Sequence, residues 1–360
     1  MVKIAVVGGG LFGCTAAIYA ARAGHEVHLF ERSGELLSAA SSINQGRAHE
    51  GFHYPRSPET VAECQAGLAS FRAEYGEAII DGGRQYYAIA KEGSKTSGVG
   101  FMAFCYANRG LHFEFADDGF DSLAAPSAVE RAAFRVREGR IDADRLRKIV
   151  AWRLDDAGVQ LHGRAADATL RGEFDKIIVS AYAATNEVAS ELGAPVEPFQ
   201  FEVVEKPVVR MPPEFQGVGI VIMDGEFCCV DPFGRTGFHV MGHVSHAIHA
   251  RNVGFKPEVP EHLAGYLNRG VVRNPSGSRF REFIEAGRRF IPALGHAVYQ
   301  GSMFTVRAVL PNRDADDARP TMVHALDHQV VRIFSGKLGC AVTAATKVVS
   351  MLRVEKREAA

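Results

Sequence analysis

Much that would mark a specialised class is missing from this sequence. Its six cysteines (Cys14, Cys64, Cys105, Cys228, Cys229 and Cys340) form no CxxC pair. Neither a zinc ribbon nor a secreted disulfide framework is expected, and the thiols read as reduced in a cytoplasmic setting. No run approaches the roughly 18 apolar residues of a membrane-spanning helix. Charge of one sign is missing too: 41 Lys and Arg against 42 Asp and Glu leave a net charge of −1, which gives no support to a nucleic-acid or anionic-membrane partner. There is no internal repeat and no low-complexity segment. What remains is 360 residues, 47% hydrophobic and 23% charged, the composition of an ordinary globular enzyme of roughly two domains.

The first thirty residues carry the strongest local signal. Val2-Lys3-Ile4-Ala5-Val6-Val7 is a short β-branched run suited to a buried parallel strand. Gly8-Gly9-Gly10-Leu11-Phe12-Gly13 follows and fits GxGxxG through Gly8, Gly10 and Gly13. Residues 11–23 are helix formers and Gly24 can terminate them. Residues 27–30 form a second strand that ends at Glu31, 21 positions after Gly10. A glycine-rich turn lets backbone approach a pyrophosphate, the helix N-terminus favours its charge, and the acid accepts hydrogen bonds from ribose hydroxyls. Strand, glycines, helix, strand and acid in this order predict a dinucleotide site, without separating NAD from FAD. The apolar start, broken by glycines, reads as strand and helix and not as a signal peptide.

Beyond Glu31-Arg32, the stretch from Ser38 to Arg47 is small and polar, as a loop along an extended cofactor would be. At this point the chain resembles the D-amino-acid-oxidase-like family of FAD oxidoreductases, which includes glycine oxidase, sarcosine oxidase and FAD-dependent glycerol-3-phosphate dehydrogenase. Four segments carry the resemblance: the fingerprint through Glu31-Arg32; the loop Ser41-Ser42-Ile43-Asn44; Gly139-Arg140-Ile141-Asp142 with the later run Phe174-Asp175-Lys176-Ile177-Ile178-Val179-Ser180-Ala181; and Arg307 to Val323 followed by Val331 to Cys340. Gly336-Lys337-Leu338 is similar to the glycerol-phosphate branch. The sequence departs from the family in Ala181-Tyr182-Ala183, where a glycine is usual, and in Ala308, where proline often follows the arginine.

The resemblance implies an α/β enzyme with a Rossmann-type FAD-binding domain and a second, mainly antiparallel-sheet substrate domain. The FAD-binding domain is expected from residues 1–80, 139–198 and 301–352, the substrate domain from 81–138 and 199–300, with a frayed tail at 353–360. Strands are expected near 86–90, 111–115, 199–209, 218–223 and 238–244, and a helix near 61–75. FAD contacts are expected from Gly8, Gly10, Leu11, Phe12, Gly13, Glu31, Arg32, Ser41, Ser42, Asn44, Gly336, Lys337, Leu338 and Gly339. The resemblance implies noncovalent FAD, because no cysteine stands at the family's attachment position near Arg307. No second GxGxxG follows a strand, so no NAD(P)H domain is expected. The C-terminal segment also lacks the Gly-Asp pair of aromatic hydroxylases, which favours an oxidase or dehydrogenase reoxidised by oxygen or a small acceptor.

Candidate chemistry gathers in two places. Arg307 lies in an apolar stretch where an unpaired charge is costly. By resemblance it holds a substrate carboxylate; the alternative is a salt bridge with Asp314 or Asp317. His49, His53, Tyr54 and Arg56 follow the polar loop and suit a substrate wall, with His53 the foremost proton acceptor. Structural hydrogen bonding is the alternative for these histidines. His239, His243, His246 and His249 have helical spacing, but Phe238 to His243 reads as a strand entering a turn, so no metal site is assigned. The chemistry divides the substrates. At pH 7 an amine of pKa near 8 costs only about 1.4 kcal/mol to deprotonate, whereas an alcohol near water's 15.7 costs about 12 kcal/mol and demands a base. Hydride transfer from a small amine or amino acid is the first expectation and oxidation of a hydroxy acid, polyol or sugar derivative the second. An NAD-dependent dehydrogenase or a non-catalytic flavin-binding protein comes third. The oligomeric state is left open.

Overall fold

A computed structural model describes residues 1–116, 118–313 and 319–358. The hydrophobic fingerprint run forms strand β1 (Lys3–Val7), which passes through Gly8 to Gly10 into helix α1 (Leu11–Arg22) and then into strand β2 (Glu26–Phe30). Gly24, at φ +85°, turns the chain out of the helix. These elements head a six-stranded sheet in the spatial order Met322–Ala325, Val330–Phe334, Lys176–Val179, β1, β2, Gln160–His162. All its pairs are parallel except the one between Met322–Ala325 and Val330–Phe334. α1, Ala143–Asp156 and Ala341–Glu358 pack on one face of this sheet through a buried cluster that includes Ile4, Val6, Ile18, Leu146 and Val348.

The middle of the chain builds a second sheet of nine strands, antiparallel except where Arg84–Ala90 pairs with Val218–Met223. Its two longest strands, Phe199–Arg210 and Val298–Val309, pair with each other in a register that sets Glu202 opposite Arg307, Val204 opposite Thr305 and Lys206 opposite Met303. A three-stranded sheet, Arg47–Ala48, Gly139–Ile141 and Ile79–Ile80, joins the loop after β2 to both large layers. The fold class is therefore the expected one: a parallel α/β layer and a largely antiparallel second sheet. Residue 301, expected to begin the return to the nucleotide domain, falls inside a strand of the second sheet that runs on to Val309, because that strand's partner is Phe199–Arg210. The tail expected to fray continues as helix to Glu358, and Ala359 and Ala360 lie outside the described residues. No helix among the described residues is long and apolar enough to cross a membrane.

Candidate active site

A cavity of about 1830 Å³ runs from the glycine turn to the second sheet. At its first end the glycines are required by contact. Gly8 has φ +114°, and a Cβ there would lie 2.4 Å from the Ser180 carbonyl oxygen; a Cβ on Gly13 would lie 2.0 Å from the Gly8 carbonyl oxygen. On Gly10, which faces the cavity, an added Cβ would approach only Ser41 Oγ, at 3.3 Å. Glu31 is held in place by three donors: the Gly9 amide at 2.7 Å, the Ser33 amide at 2.9 Å and the Ser33 hydroxyl at 2.8 Å. Ser41 Oγ accepts the Leu11 amide at 3.0 Å, at the start of α1.

The polar loop folds on its own side chains. Asn44 Nδ2 donates to the Ala40 carbonyl at 2.9 Å while its Oδ1 accepts the Gly46 amide at 2.6 Å. Ser42 donates to the Leu37 carbonyl and accepts from Arg147 at 3.2 Å. The cavity wall includes Gly8, Gly10, Leu11, Phe12, Glu31, Arg32, Ser41, Ser42, Asn44, Gly336, Lys337 and Leu338. Gly13 and Gly339 stand behind it: Gly13 packs closely on Gly8, whereas Gly339 lies beside Leu68 with room for a Cβ. Arg32 lies at the exposed rim, paired with Glu187 at 3.3 Å.

At the other end the wall is made of charged side chains. Arg47 Nε donates to Asp231 Oδ1 at 2.8 Å and Nη2 to Oδ2, a buried bidentate pair between the polar loop and the second sheet. His49 faces the cavity and places Nδ1 3.4 Å from Glu138 Oε1, off the direction of a hydrogen bond. Glu138 is buried and accepts the Tyr87 hydroxyl at 2.8 Å and the Glu50 amide at 3.1 Å. Burial, seconded by the cations of Lys337 and Arg47, outweighs Glu138 and holds the His49 imidazole below its ordinary pKa. The neutral form of His49 is favoured accordingly. Glu138 is held below the usual carboxylate range because His49, Arg47 and Tyr87 together overcome its desolvation.

Several expected substrate contacts lie elsewhere. His53 is not on the cavity wall. It packs behind His49 at 6.1 Å between ring centres and beside Tyr54, with Nδ1 buried and without a hydrogen-bond partner among the described residues. Burial, with Arg47 next in effect, drives its pKa well down. Tyr54 is buried under Lys337, whose Nζ sits 4.3 Å from the ring centre. Arg56 is off the wall too and binds Asp224 at 2.8 Å. These three lie in the layer beneath the wall because their segment is pinned by that ion pair and by the aromatic packing. Arg307 does line the cavity, but its Nε donates to the buried Glu202 at 2.6 Å and its Nη2 pairs with the same carboxylate. The alternative partners Asp314 and Asp317 lie outside the described residues.

The four histidines at 239–249 do not converge on one point, although the rings of His243 and His246 lie 4.3 Å apart. His239 bonds the Phe215 carbonyl at 3.0 Å, His243 Nδ1 accepts the amide of Ser245, and His249 bonds Glu205 at 2.8 Å. Sequence reasoning missed Glu138, Glu202, Asp231 and Lys206. Only Lys206 carried a signal, a lone cation within the apolar strand Val203-Val204-Glu205-Lys206-Pro207-Val208.

A family model described as FAD dependent oxidoreductase matches residues 3–336. Among curated proteins, the FAD-dependent monooxygenase kojA of Aspergillus flavus is 25% identical over 97% of this chain and 85% of its own length. A FAD-dependent monooxygenase of Fusarium mangiferae is 28% identical over 68% of this chain and 64% of its own. Among solved structures, glycine oxidase from Geobacillus kaustophilus superposes with a TM-score of 0.71 at 15% identity, covering 98% of this chain and 95% of that one. L-alpha-glycerophosphate oxidase from Mycoplasma pneumoniae, with FAD bound, gives 0.72 at 16%, with the same two coverages. The residues present fit FAD. The glycine cradle is closed to any side chain, Glu31 is fixed on the wall, and the cavity exceeds the roughly 300–1,000 Å³ that suffices for a smaller ligand.

Proposed function

This chain belongs to the FAD-dependent oxidoreductase family, and from that premise we propose that it oxidises a hydroxyl-bearing carbon of a small substrate, with His49 as the proton acceptor. The single observation that carries this reading is an imidazole on the cavity wall, His49, 3.4 Å from the buried carboxylate of Glu138. His49 Nδ1 faces Glu138, and its Nε2 makes no hydrogen bond among the described residues. Such a pair suits removal of a hydroxyl proton, the step that costs about 12 kcal/mol without help. An amine substrate asks for no such base. This reverses the order of the two substrate classes expected from the sequence, and the base is His49 in place of His53.

FAD, when bound, supplies a two-electron acceptor for the substrate hydride. The protein's share begins at the dinucleotide end, where the glycine turn and Glu31 fix the cofactor's position. Ser41, Ser42 and Asn44 shape the loop alongside. At the second sheet, His49 takes the hydroxyl proton as the C–H bond is broken, and Glu138 stabilises the imidazolium that results. Lys337 and Arg47 oppose that imidazolium, so the proton has reason to leave once the substrate has been oxidised. The relatives' names speak of monooxygenases, a class to which the missing Gly-Asp pair did not point. For this chain we propose reoxidation by oxygen or a small acceptor without oxygen insertion. Six free cysteines fit a reducing, cytoplasmic setting.

The test is anaerobic mixing of the FAD-loaded protein with hydroxy acids, polyols, amino acids and N-methylamines, read as bleaching of the flavin. A hydroxy compound is expected to bleach it, and His49→Gln is expected to slow that step about 10²- to 10⁴-fold with FAD still bound. Bleaching by amines alone, or an unchanged rate in His49→Gln, overturns the reading.

A further inference from the structure

The floor of the cavity is the paired strands Phe199–Arg210 and Val298–Val309. Side chains of alternate residues share a face, and Val204, Lys206, Met303, Thr305 and Arg307 all line the cavity. Four cations in this region differ in what they have to neutralise them; Lys337 is the one that rests on a ring, its Nζ 4.3 Å from the centre of Tyr54. Arg307 is committed through two nitrogens to Glu202, which also takes Arg251 at 3.1 Å. Arg47 is committed bidentately to Asp231. Lys206 has neither an ion pair nor a hydrogen bond among the described residues, although burial makes its charge expensive enough to lower its pKa to about 8. A partly buried ammonium on the wall of a cavity, beside carboxylates already taken by arginines, lacks an anion.

We infer that Lys206 anchors a carboxylate of the substrate, so that the molecule oxidised is a small hydroxy acid and not a neutral alcohol or sugar. The hydroxyl half of that statement rests on the function proposed above; the carboxylate half stands without it. Position supports the assignment. Along the strand Lys206 is four residues, or about 13 Å, from Glu202; the charge of Arg307 reaches it, but the carboxylate that Arg307 holds makes no ion pair with it. Arg47 is the neighbour common to both groups, since its charge acts on His49 and on Lys206 alike. The anion anchor and the proton acceptor thus line one and the same cavity.

The FAD-loaded protein is titrated with acetate and oxalate, which carry no carbinol, and with neutral acetamide, and perturbation of the flavin absorbance is recorded. Saturable perturbation by the carboxylates and none by acetamide is expected. Lys206→Met is expected to weaken carboxylate binding about 10- to 100-fold and Lys206→Arg to keep part of it. Lys206→Gln repeats the test should the methionine variant fold poorly. Carboxylate binding unchanged in Lys206→Met overturns the assignment, all the more clearly if FAD affinity falls in that variant, since the lysine would then serve the cofactor. A wild-type protein indifferent to acetate and oxalate also overturns it. Failure of the hydroxyl reading looks different: His49→Gln would reduce its flavin at the normal rate while the acetate titrations behaved as stated.

Discussion

The two ends of the cavity hold charge by different means. At the dinucleotide end the work falls mainly to backbone, with Glu31 the carboxylate beside it: Gly8, Gly10 and Gly13 open the turn, and the first turn of α1 carries neither an acidic nor a basic side chain. At the second sheet it falls to side chains: Arg47 with Asp231, Arg307 with Glu202, His49 with Glu138, and the ammonium groups of Lys206 and Lys337. Backbone recognition depends on shape. It tolerates no added atom but is indifferent to pH. Side-chain recognition tolerates changes of size but is exposed to every change of charge. One end can therefore be broken with a methyl group and the other with a proton.

The largest effect is expected from Gly13→Val. Its Cβ alone would lie 2.0 Å from the Gly8 carbonyl oxygen, and backbone cannot give way as a side chain does. Loss of bound flavin on purification and about 3 kcal/mol or more of destabilisation are expected, read by flavin absorbance and urea unfolding. Retention of flavin with ordinary affinity would show that the turn is looser than its contacts. Asp231→Ala strikes the opposite end by leaving the Arg47 guanidinium buried and uncompensated, an expected cost of about 3–5 kcal/mol. The double variant Arg47→Met, Asp231→Leu should recover much of that loss, because the desolvation penalty leaves with the charges.

Protons give the next test. His49 and His53 both have pKa values lowered by burial, so the folded chain refuses protons that the unfolded chain binds below the ordinary imidazole value near 6.5. The contribution of these two histidines to stability is thus expected to be flat above that pH and to fall as the pH drops through it, by up to about 1.4 kcal/mol per pH unit for each, while Glu50, raised to about 7, opposes it below that value. His53→Phe should flatten one share of that slope in unfolding curves between pH 7 and 5 without removing His49. The anion site moves in the other direction: acetate affinity should weaken as the pH rises through about 8, where Lys206 loses its charge in the ligand-free protein.

The dinucleotide end was legible in the sequence because its geometry is local. Gly8 to Gly13 and Glu31 all fall within one strand-helix-strand unit, and the glycines are there for contacts that only glycine permits. The strands of the second sheet were legible as elements, since Val218–Met223 and its neighbours are plainly β-branched runs. Their partners were not. Glu202 meets Arg307 across 105 residues and Arg47 meets Asp231 across 184, and such pairings depend on register that no local pattern encodes. The same reason put His53 ahead of His49: both lie in one histidine-rich stretch, and only the fold shows which of them backs onto Glu138 and faces the cavity.

The smallest effect, and the one that bears most directly on the contrast between the ends, is expected from Arg32→Ala. Sequence reasoning counted Arg32 among the cofactor contacts, yet it sits at the cavity rim with about two thirds of its side chain exposed, opposite an equally exposed Glu187 at 3.3 Å. Water screens such a pair, and holding two long side chains together costs entropy, so its removal should change stability by less than about 0.5 kcal/mol. If backbone governs the dinucleotide end, FAD affinity, measured by flavin fluorescence on titration into the apoprotein, should change by less than about threefold, or roughly 0.6 kcal/mol. A tenfold loss that disappears at high salt would mean that a guanidinium at the rim reaches the pyrophosphate after all. Side-chain charge would then operate at both ends, and the division between them would fail where it was drawn most sharply.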